Sequence, residues 1–278
     1  MRVAAVQLNS QSDKELNIKT AVEAVDEAAQ AGARFVLLPE YVDYLGTKDG
    51  AAQAAETEDG PAHAAFADVA RTRGVWLHCG SIRVAAPDGR AFNTSVVFAP
   101  DGSIAARYRK IHLFDVDIPD GVTYRESDSV APGDAFVTCD VDDWRVGLSI
   151  CYDLRFPELY RGLTLAGADL LVVPAAFTFY TGRYHWEVLL RARAIESQCY
   201  VLAAGQVGTH VADGGATART NGRSMLIDPW GTVLASAPDT DTTSIVYGDL
   251  DRSRLETVRA EVPSLQNRRA DVYATATR

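Results

Sequence analysis

The sequence predicts an α/β sandwich, with β-sheets inside and helices outside. Three observations carry this. Apolar runs of strand length alternate with segments of helical periodicity. Hairpin signals occur in each half of the chain. The second half repeats the logic of the first.

In the first half, Val3–Leu8 is an apolar run of strand length. Residues 15–31 place Ile18, Val22, Val25 and Ala29 at roughly helical spacing, and Gly32 is a stop signal. Residues 35–40 (F-V-L-L-P-E) form a second strand that ends in a proline and a carboxylate. Residues 61–73 form a short helix and residues 75–84 a strand. Residues 93–99 and 103–109 flank the Asp101-Gly102 turn as a hairpin.

In the second half, residues 145–150 form a strand that ends at Cys151. Residues 156–168 form a helix with Gly167 near its end, and residues 170–174 an apolar strand. Residues 185–198 form a long helix with Val188, Leu189, Ala192 and Ile195 on one face. Residues 200–207 form the next strand. Asp228-Pro229-Trp230-Gly231 turns residues 224–227 back into 232–235, residues 244–249 form a strand, and 252–262 a helix. There is no low-complexity segment or Gly/Ser-rich linker, so residues 1–278 read as one domain. Its tail, 263–278, packs on a partner or frays.

Composition narrows the function classes. The 278 residues are 47% hydrophobic and 23% charged, which is globular. A net charge of -10 disfavours nucleic acid and anionic membrane surfaces as partners. Residues 1–6 lack a secretory apolar core, and no window approaches the ~18 apolar residues of a membrane span. The four cysteines, Cys79, Cys139, Cys151 and Cys199, are widely spaced without C-x-x-C. Reduced thiols in a cytoplasm are the expectation, and the five scattered histidines offer no metal cluster.

Three reactive side chains sit at the ends of predicted strands: Glu40, Lys110 and Cys151. Strand ends are where α/β proteins place ligands. A thiol attacking an amide needs a group to take its proton, a cation for the developing oxyanion, and an acid for the leaving amine. A carboxylate and a lysine supply these roles. Spacing alone does not assemble the three. A strand-end cysteine is more often buried packing, and a strand-end Glu or Lys more often a solvated cap.

The surroundings of these residues resemble the carbon–nitrogen hydrolase (nitrilase) superfamily over about residues 3–273. The matching motifs are Leu38-Pro39-Glu40, residues 108–115 (Y-R-K-I-H-L-F-D) and residues 151–158 (C-Y-D-L-R-F-P-E). The resemblance implies a four-layer αββα sandwich that pairs into homodimers or larger homo-oligomers and needs no metal or organic cofactor. It implies Cys151 as nucleophile, Glu40 as base and Lys110 as oxyanion partner. It gives the base to glutamate rather than to His112 or His185, and leaves His112 a supporting hydrogen-bonding role.

The flanks at residues 114–119, 124–127, 132–133 and 181–196 look like the branch that contains deaminated glutathione amidase and omega-amidase. That branch implies a second active-site carboxylate at Glu126. Residues 198–201 (Q-C-Y-V) and 203–206 (A-A-G-Q) look more like the former, while residues 208–221 depart from both. The expected reaction releases ammonia from a small carboxylate-bearing amide through a thioester. The alternatives are an omega-amidase acting on 2-oxo-dicarboxylic acid monoamides and a nitrilase. Tyr152, Arg155, Phe177 and Tyr180 are the candidate substrate-binding residues. Arg155 clasps a carboxylate or pairs with Asp153 or Glu158. Tyr44, Phe177 and Tyr180 line a pocket or belong to the core.

Overall fold

The computed structural model describes residues 1–117, 123–211, 217–238 and 240–273. Ile118 and Pro119 of the 114–119 flank, residues 212–216 of the 208–221 segment and the last five residues of the tail lie outside them. The helices among the described residues are α1 (Lys14–Gln30), α2 (Lys48–Ala54), α3 (Pro61–Arg73), α4 (Pro157–Leu165), α5 (Phe179–Ser197), α6 (Arg252–Glu261) and α7 (Ala270–Tyr273).

Each half builds a sheet around three parallel strands. In the first, Arg2–Gln7 and Trp76–His78 run parallel to Phe35–Leu37 between them. In the second, Trp144–Leu148, Leu170–Ala175 and Tyr200–Gly205 do the same. Antiparallel strands extend both sheets, among them the Ala91–Phe98/Ile104–Arg109 hairpin of the first. Ser244–Asp249 crosses from the second half to pair antiparallel with Arg2–Gln7.

The two-residue period of a strand explains the layers. Val3, Ala5, Phe35 and Leu37 join one core with Val146, Leu148 and Leu170 of the second sheet, together with Leu163, Trp186, Leu190 and Leu255 from α4, α5 and α6. Ala4, Val6, Val36 and Leu38 point the other way, into a core with Ala21 and Val25 of α1 and Phe66 and Val69 of α3. The order is α1/α3, sheet, sheet, α4/α5/α6, the four-layer αββα sandwich. Sheets covered on both faces need continuous apolar strands, as residues 35–38 and 170–173 supply.

Several boundaries differ from the sequence reading. The run 75–84 is two strands, Trp76–His78 and Ile82–Ala85, broken at Gly80 with φ +69°. The strand expected to reach Glu40 ends at Leu37. The helix expected from residue 156 begins at Pro157, after a 3-10 turn over Cys151–Arg155. α5 begins at Phe179, not at 185, and its buried stripe is Trp186, Leu190 and Ala194. Val188 and Ile195 are 66% and 51% exposed. Helical periodicity runs through two apolar faces of α5, so spacing alone chose the outer one. α2 was absent from the sequence reading because its polar, Gly- and Ala-containing run has little apolar periodicity.

Candidate active site

Glu40 enters the site as the chain leaves the strand Phe35–Leu37. A Cβ on Gly80 would stand 1.9 Å from Pro39 O, so only glycine lets the neighbouring loop pass this close. Glu40 is 1% exposed. Its Oε1 accepts from Asn93 Nδ2 at 2.8 Å and its Oε2 from the Ala176 amide at 2.7 Å. Gln206 Nε2 donates to the Glu40 carbonyl at 3.0 Å.

Lys110 follows the strand Ile104–Arg109. Its amide donates to Asn93 O, and its carbonyl accepts from the Gly133 amide, both at 2.9 Å. The buried ammonium donates to Glu40 Oε1 at 3.2 Å and to Glu126 Oε2 at 2.8 Å. Glu126 also accepts from Tyr41 Oη and the Phe114 amide, each at 2.6 Å. Burial alone would depress the lysine, but Glu126 and Glu40 outweigh it and hold the ammonium well above its ordinary range. Burial works to raise Glu126, and Lys110 outweighs it, so that carboxyl is lowered. The Lys110 ammonium and the Glu126 carboxylate thus stay charged away from water, because each is hydrogen-bonded to the other.

Cys151 sits on a strained bend. Its φ is +49°, in the left-handed region that side chains other than glycine's seldom occupy. Asp153 fixes the bend: its buried carboxylate accepts from the Ile150 amide at 2.8 Å and from Tyr108 Oη at 2.7 Å. His112 Nδ1 lies 2.8 Å from the other Asp153 oxygen, and its ring stacks on Phe156 at 3.7 Å. Arg193 of α5 clamps the same turn, donating to Leu154 O at 3.0 and 2.8 Å. Burial, then Glu40, raise the Cys151 thiol well above its usual value, while Lys110 pulls it down. A hydrogen bond with Glu40 favours the protonated thiol, so the resting proton stays on sulfur.

The fold therefore brings Glu40, Lys110, Glu126 and Cys151 into one buried cluster. Tyr152, Arg155 and Phe177 gather beside it. The Arg155 guanidinium lies 5.0 Å from the Phe177 ring centre and 5.9 Å from that of Tyr152. Arg155 Nη1 is 3.2 Å from His185 Nδ1, and among the described residues no carboxylate forms an ion pair with it. Tyr180 is 59% exposed and joins none of these ring contacts. Tyr44 is buried against Gly46 and Gly50. Among the described residues no group of His, Cys, Asp and Glu has the arrangement of a metal site.

The sequence profile of the carbon–nitrogen hydrolase family matches residues 2–260. The chain belongs to the carbon–nitrogen hydrolase family. It is an enzyme that cleaves carbon–nitrogen bonds other than peptide bonds. This carbon–nitrogen hydrolase is 43% identical over 269 residues to a deaminated glutathione amidase of Synechocystis, covering 95% of this chain and 97% of that one. It is 40% identical over 276 residues to omega-amidase NIT2 of Homo sapiens, covering 98% and 96%. Among solved structures, the C. elegans NitFhit protein superposes with a TM-score of 0.89 at 37% identity, covering 98% of this chain and 66% of that one. Saccharomyces cerevisiae Nit3, a member of branch 10 of the nitrilase superfamily, gives 0.83 at 30%, covering 95% and 94%.

Sequence reasoning missed Asn93 and Tyr41, which hold Glu40 and Glu126. Asn93 lies inside a buried strand, where a polar residue at an inward position was the available signal. Tyr41 directly follows the Leu38-Pro39-Glu40 motif and carries no pattern of its own. The Q-C-Y-V stretch does not report on the pocket. Cys199 is fully buried and Tyr200 packs edge-on against Trp144 in the core.

Proposed function

We propose that Cys151, Glu40, Lys110 and Glu126 hydrolyse the terminal amide of a small carboxylate-bearing molecule through a thioester. The observation that carries this reading is Lys110, buried beside Cys151 and shared between Glu40 and Glu126. An ammonium has three N–H donors. Three carboxylate oxygens share them, Glu40 Oε1 at 3.2 Å and Glu126 Oε1 and Oε2 at 3.1 and 2.8 Å, and a carbonyl oxygen that becomes anionic competes for one of these donors.

Glu40 takes the thiol proton as sulfur bonds to the amide carbon. The C–N bond breaks, and the same proton leaves with ammonia or an amine. Water then gives a proton to Glu40 and a hydroxyl to the thioester carbon, which releases the acid. Glu40 returns its proton to sulfur. Glu126 holds the ammonium in place throughout.

Arg155 receives the substrate carboxylate, backed by Tyr152 and Phe177, with Tyr180 at the rim. It is partly buried, and burial lowers its affinity for its own proton, so an anionic ligand gains most there. Identity to the Synechocystis enzyme favours a deaminated glutathione-like substrate, and identity to NIT2 favours 2-oxo-dicarboxylic monoamides. The test is a panel of both amides and a simple nitrile, scored for product. Turnover of the nitrile alone would overturn the amidase reading.

We also infer a homodimer or larger homo-oligomer that covers Tyr184, Val188 and Ile195 of α5 and Leu165 of α4, which stand 51–71% exposed. Residues 263–273 belong to the same contact, with Val272 and Tyr273 exposed near the end of that stretch. Sedimentation reading a monomer at micromolar concentration contradicts it. The reduced state of all four cysteines suits a cytoplasm, which fractionation checks. No helix of the described residues is long and apolar enough to cross a membrane.

A further inference from the structure

Arg83 stands directly opposite Asn93 where the strand Ile82–Ala85 pairs antiparallel with Ala91–Phe98. Cross-strand partners share a face of the sheet, and neighbours along a strand take the other face. Ile82 and Val84 join the core with α1 and α3, while Arg83 and Asn93 turn towards the reactive cluster. Asn93 reaches Glu40, and Arg83 reaches the residue that follows it. The Arg83 guanidinium lies on the Tyr41 ring, 3.7 Å from its centre, and Nη1 donates to Tyr44 O at 3.1 Å.

Tyr41 holds a backbone conformation that tyrosine seldom takes. Its φ is +53°, and its amide donates to Ser81 Oγ at 3.1 Å. From there its hydroxyl meets Glu126 Oε1 at 2.6 Å. Burial, then Glu126, raise that hydroxyl well above its ordinary range against the pull of Arg83, so it stays a donor. The Arg83 charge behind the ring fixes the ring plane and makes the hydroxyl a stronger donor.

The two carboxylates beside Lys110 therefore differ. Glu126 Oε1 accepts from Tyr41 at 2.6 Å, Lys110 at 3.1 Å and Asn93 at 3.5 Å, and its Oε2 from the Phe114 amide at 2.6 Å and Lys110 at 2.8 Å. Glu40 accepts from Asn93, Lys110 and the Ala176 amide, and shares a hydrogen bond with the Cys151 thiol. Resting on the amidase reading, we propose that Tyr41 and Arg83 are positioning residues that hold Glu126 as the partner of Lys110, so that the thiol proton goes to Glu40 alone. The charged and titratable groups around Glu126 are Lys110, Glu40, Cys151, Tyr41 and Tyr124, with Arg83 behind the Tyr41 ring.

Two measurements test this. The first is steady-state kinetics against pH. Tyr41→Phe keeps the ring and removes the hydroxyl. Its kcat should fall about tenfold with KM little changed, the scale of one hydrogen bond to a charged group. A carboxylate that loses a hydrogen bond takes its proton more readily, so the acid limb of kcat/KM should move up by about one pH unit. Arg83→Met should act in the same direction, and Arg83→Lys should recover part of the loss, because a cation still sits on the ring. The double variant Tyr41→Phe/Arg83→Met should be no worse than Tyr41→Phe. A wild-type acid limb in Tyr41→Phe overturns the proposal. So do losses that multiply in the double variant, since Arg83 then only braces the loop at Tyr44. The second measurement needs no turnover. Infrared titration follows the protonated-carboxyl band of Glu126, assigned by its loss in Glu126→Gln, and the band should appear at higher pH in Tyr41→Phe and Arg83→Met than in wild type. A band that does not move overturns the proposal. Failure of the wild type to cleave any amide, with the band shift intact, overturns the amidase reading instead.

Discussion

Asn93 Nδ2 donates to Glu40 Oε1 at 2.8 Å, and the carbonyl of the same asparagine accepts from the Lys110 amide at 2.9 Å. One strand residue thus sets the spacing between the carboxylate and the ammonium. Asn93→Ala removes a hydrogen bond to a charged group, worth ~1.5–3 kcal/mol. The expected result is a fall in kcat of about 10- to 100-fold with KM little changed, measured by steady-state kinetics. Wild-type kcat in a folded Asn93→Ala contradicts the positioning role.

Cys151→Ala is expected to remove turnover and leave the fold intact. The other three cysteines are buried, and burial pushes Cys79 up to about 12 and Cys139 and Cys199 to about 11. The Cys151 thiol is raised as well, but Glu40 stands beside it to take the proton and Lys110 to hold the thiolate. Peptide mapping after limited alkylation should find the label on Cys151, with substrate protecting. Label on Cys79 or Cys199 that tracks inactivation points to another nucleophile.

Lys110→Arg is expected to lose at least ~10²-fold in kcat, the usual cost of one oxyanion donor. The ammonium occupies a buried gap between two carboxylates, which a planar guanidinium is too broad to enter in the same way. Near-normal kinetics in this variant would rule out the close-contact role.

A pH effect on stability is expected away from the reactive cluster. Burial works to raise Glu56, but hydrogen bonds from His63 and Lys14 outweigh it and lower it from 4.5 to about 2. A depressed carboxyl stabilises the fold above its unfolded value and loses that contribution as pH falls through its folded value. The gap in urea midpoint between wild type and Glu56→Gln should therefore be widest above pH 4.5 and close towards pH 2. A gap that is constant over this window falsifies the assignment.

Gly80→Ala should damage stability and activity together. The new methyl meets the Pro39 carbonyl at 1.9 Å from a left-handed backbone. Strain of this kind costs ~1–3 kcal/mol, and each kcal/mol lowers Tm by about 2–4 °C in a domain of this size. Because Pro39 precedes Glu40, kcat should drop as well. Calorimetry and kinetics that both match wild type would contradict the close approach.

The layers were legible because Val3–Val6 and residues 170–173 are apolar on both faces, which only a doubly covered sheet satisfies. The motif residues were legible from their surroundings, not from their chemistry. Breaks such as Gly80 were not, because a turn between two apolar strands leaves hydrophobicity unchanged across residues 75–84. The contribution of Asn93 was hidden for a different reason. Its hydrogen bonds join residues 53 and 33 positions away, to Glu40 and Glu126, and no local pattern encodes them.

The pairing of Arg2–Gln7 with Ser244–Asp249 has a consequence for biosynthesis. At ~5–20 residues per second, the later strand follows the earlier from the ribosome by roughly 10–50 s. Throughout that interval the edge of Arg2–Gln7 stays an open template for strand addition, with the chain around it apolar. The nascent protein thus carries its own aggregation hazard until the second half has been made. Stop codons or frameshifts upstream of Ser244 should yield aggregating chains rather than a folded half-enzyme.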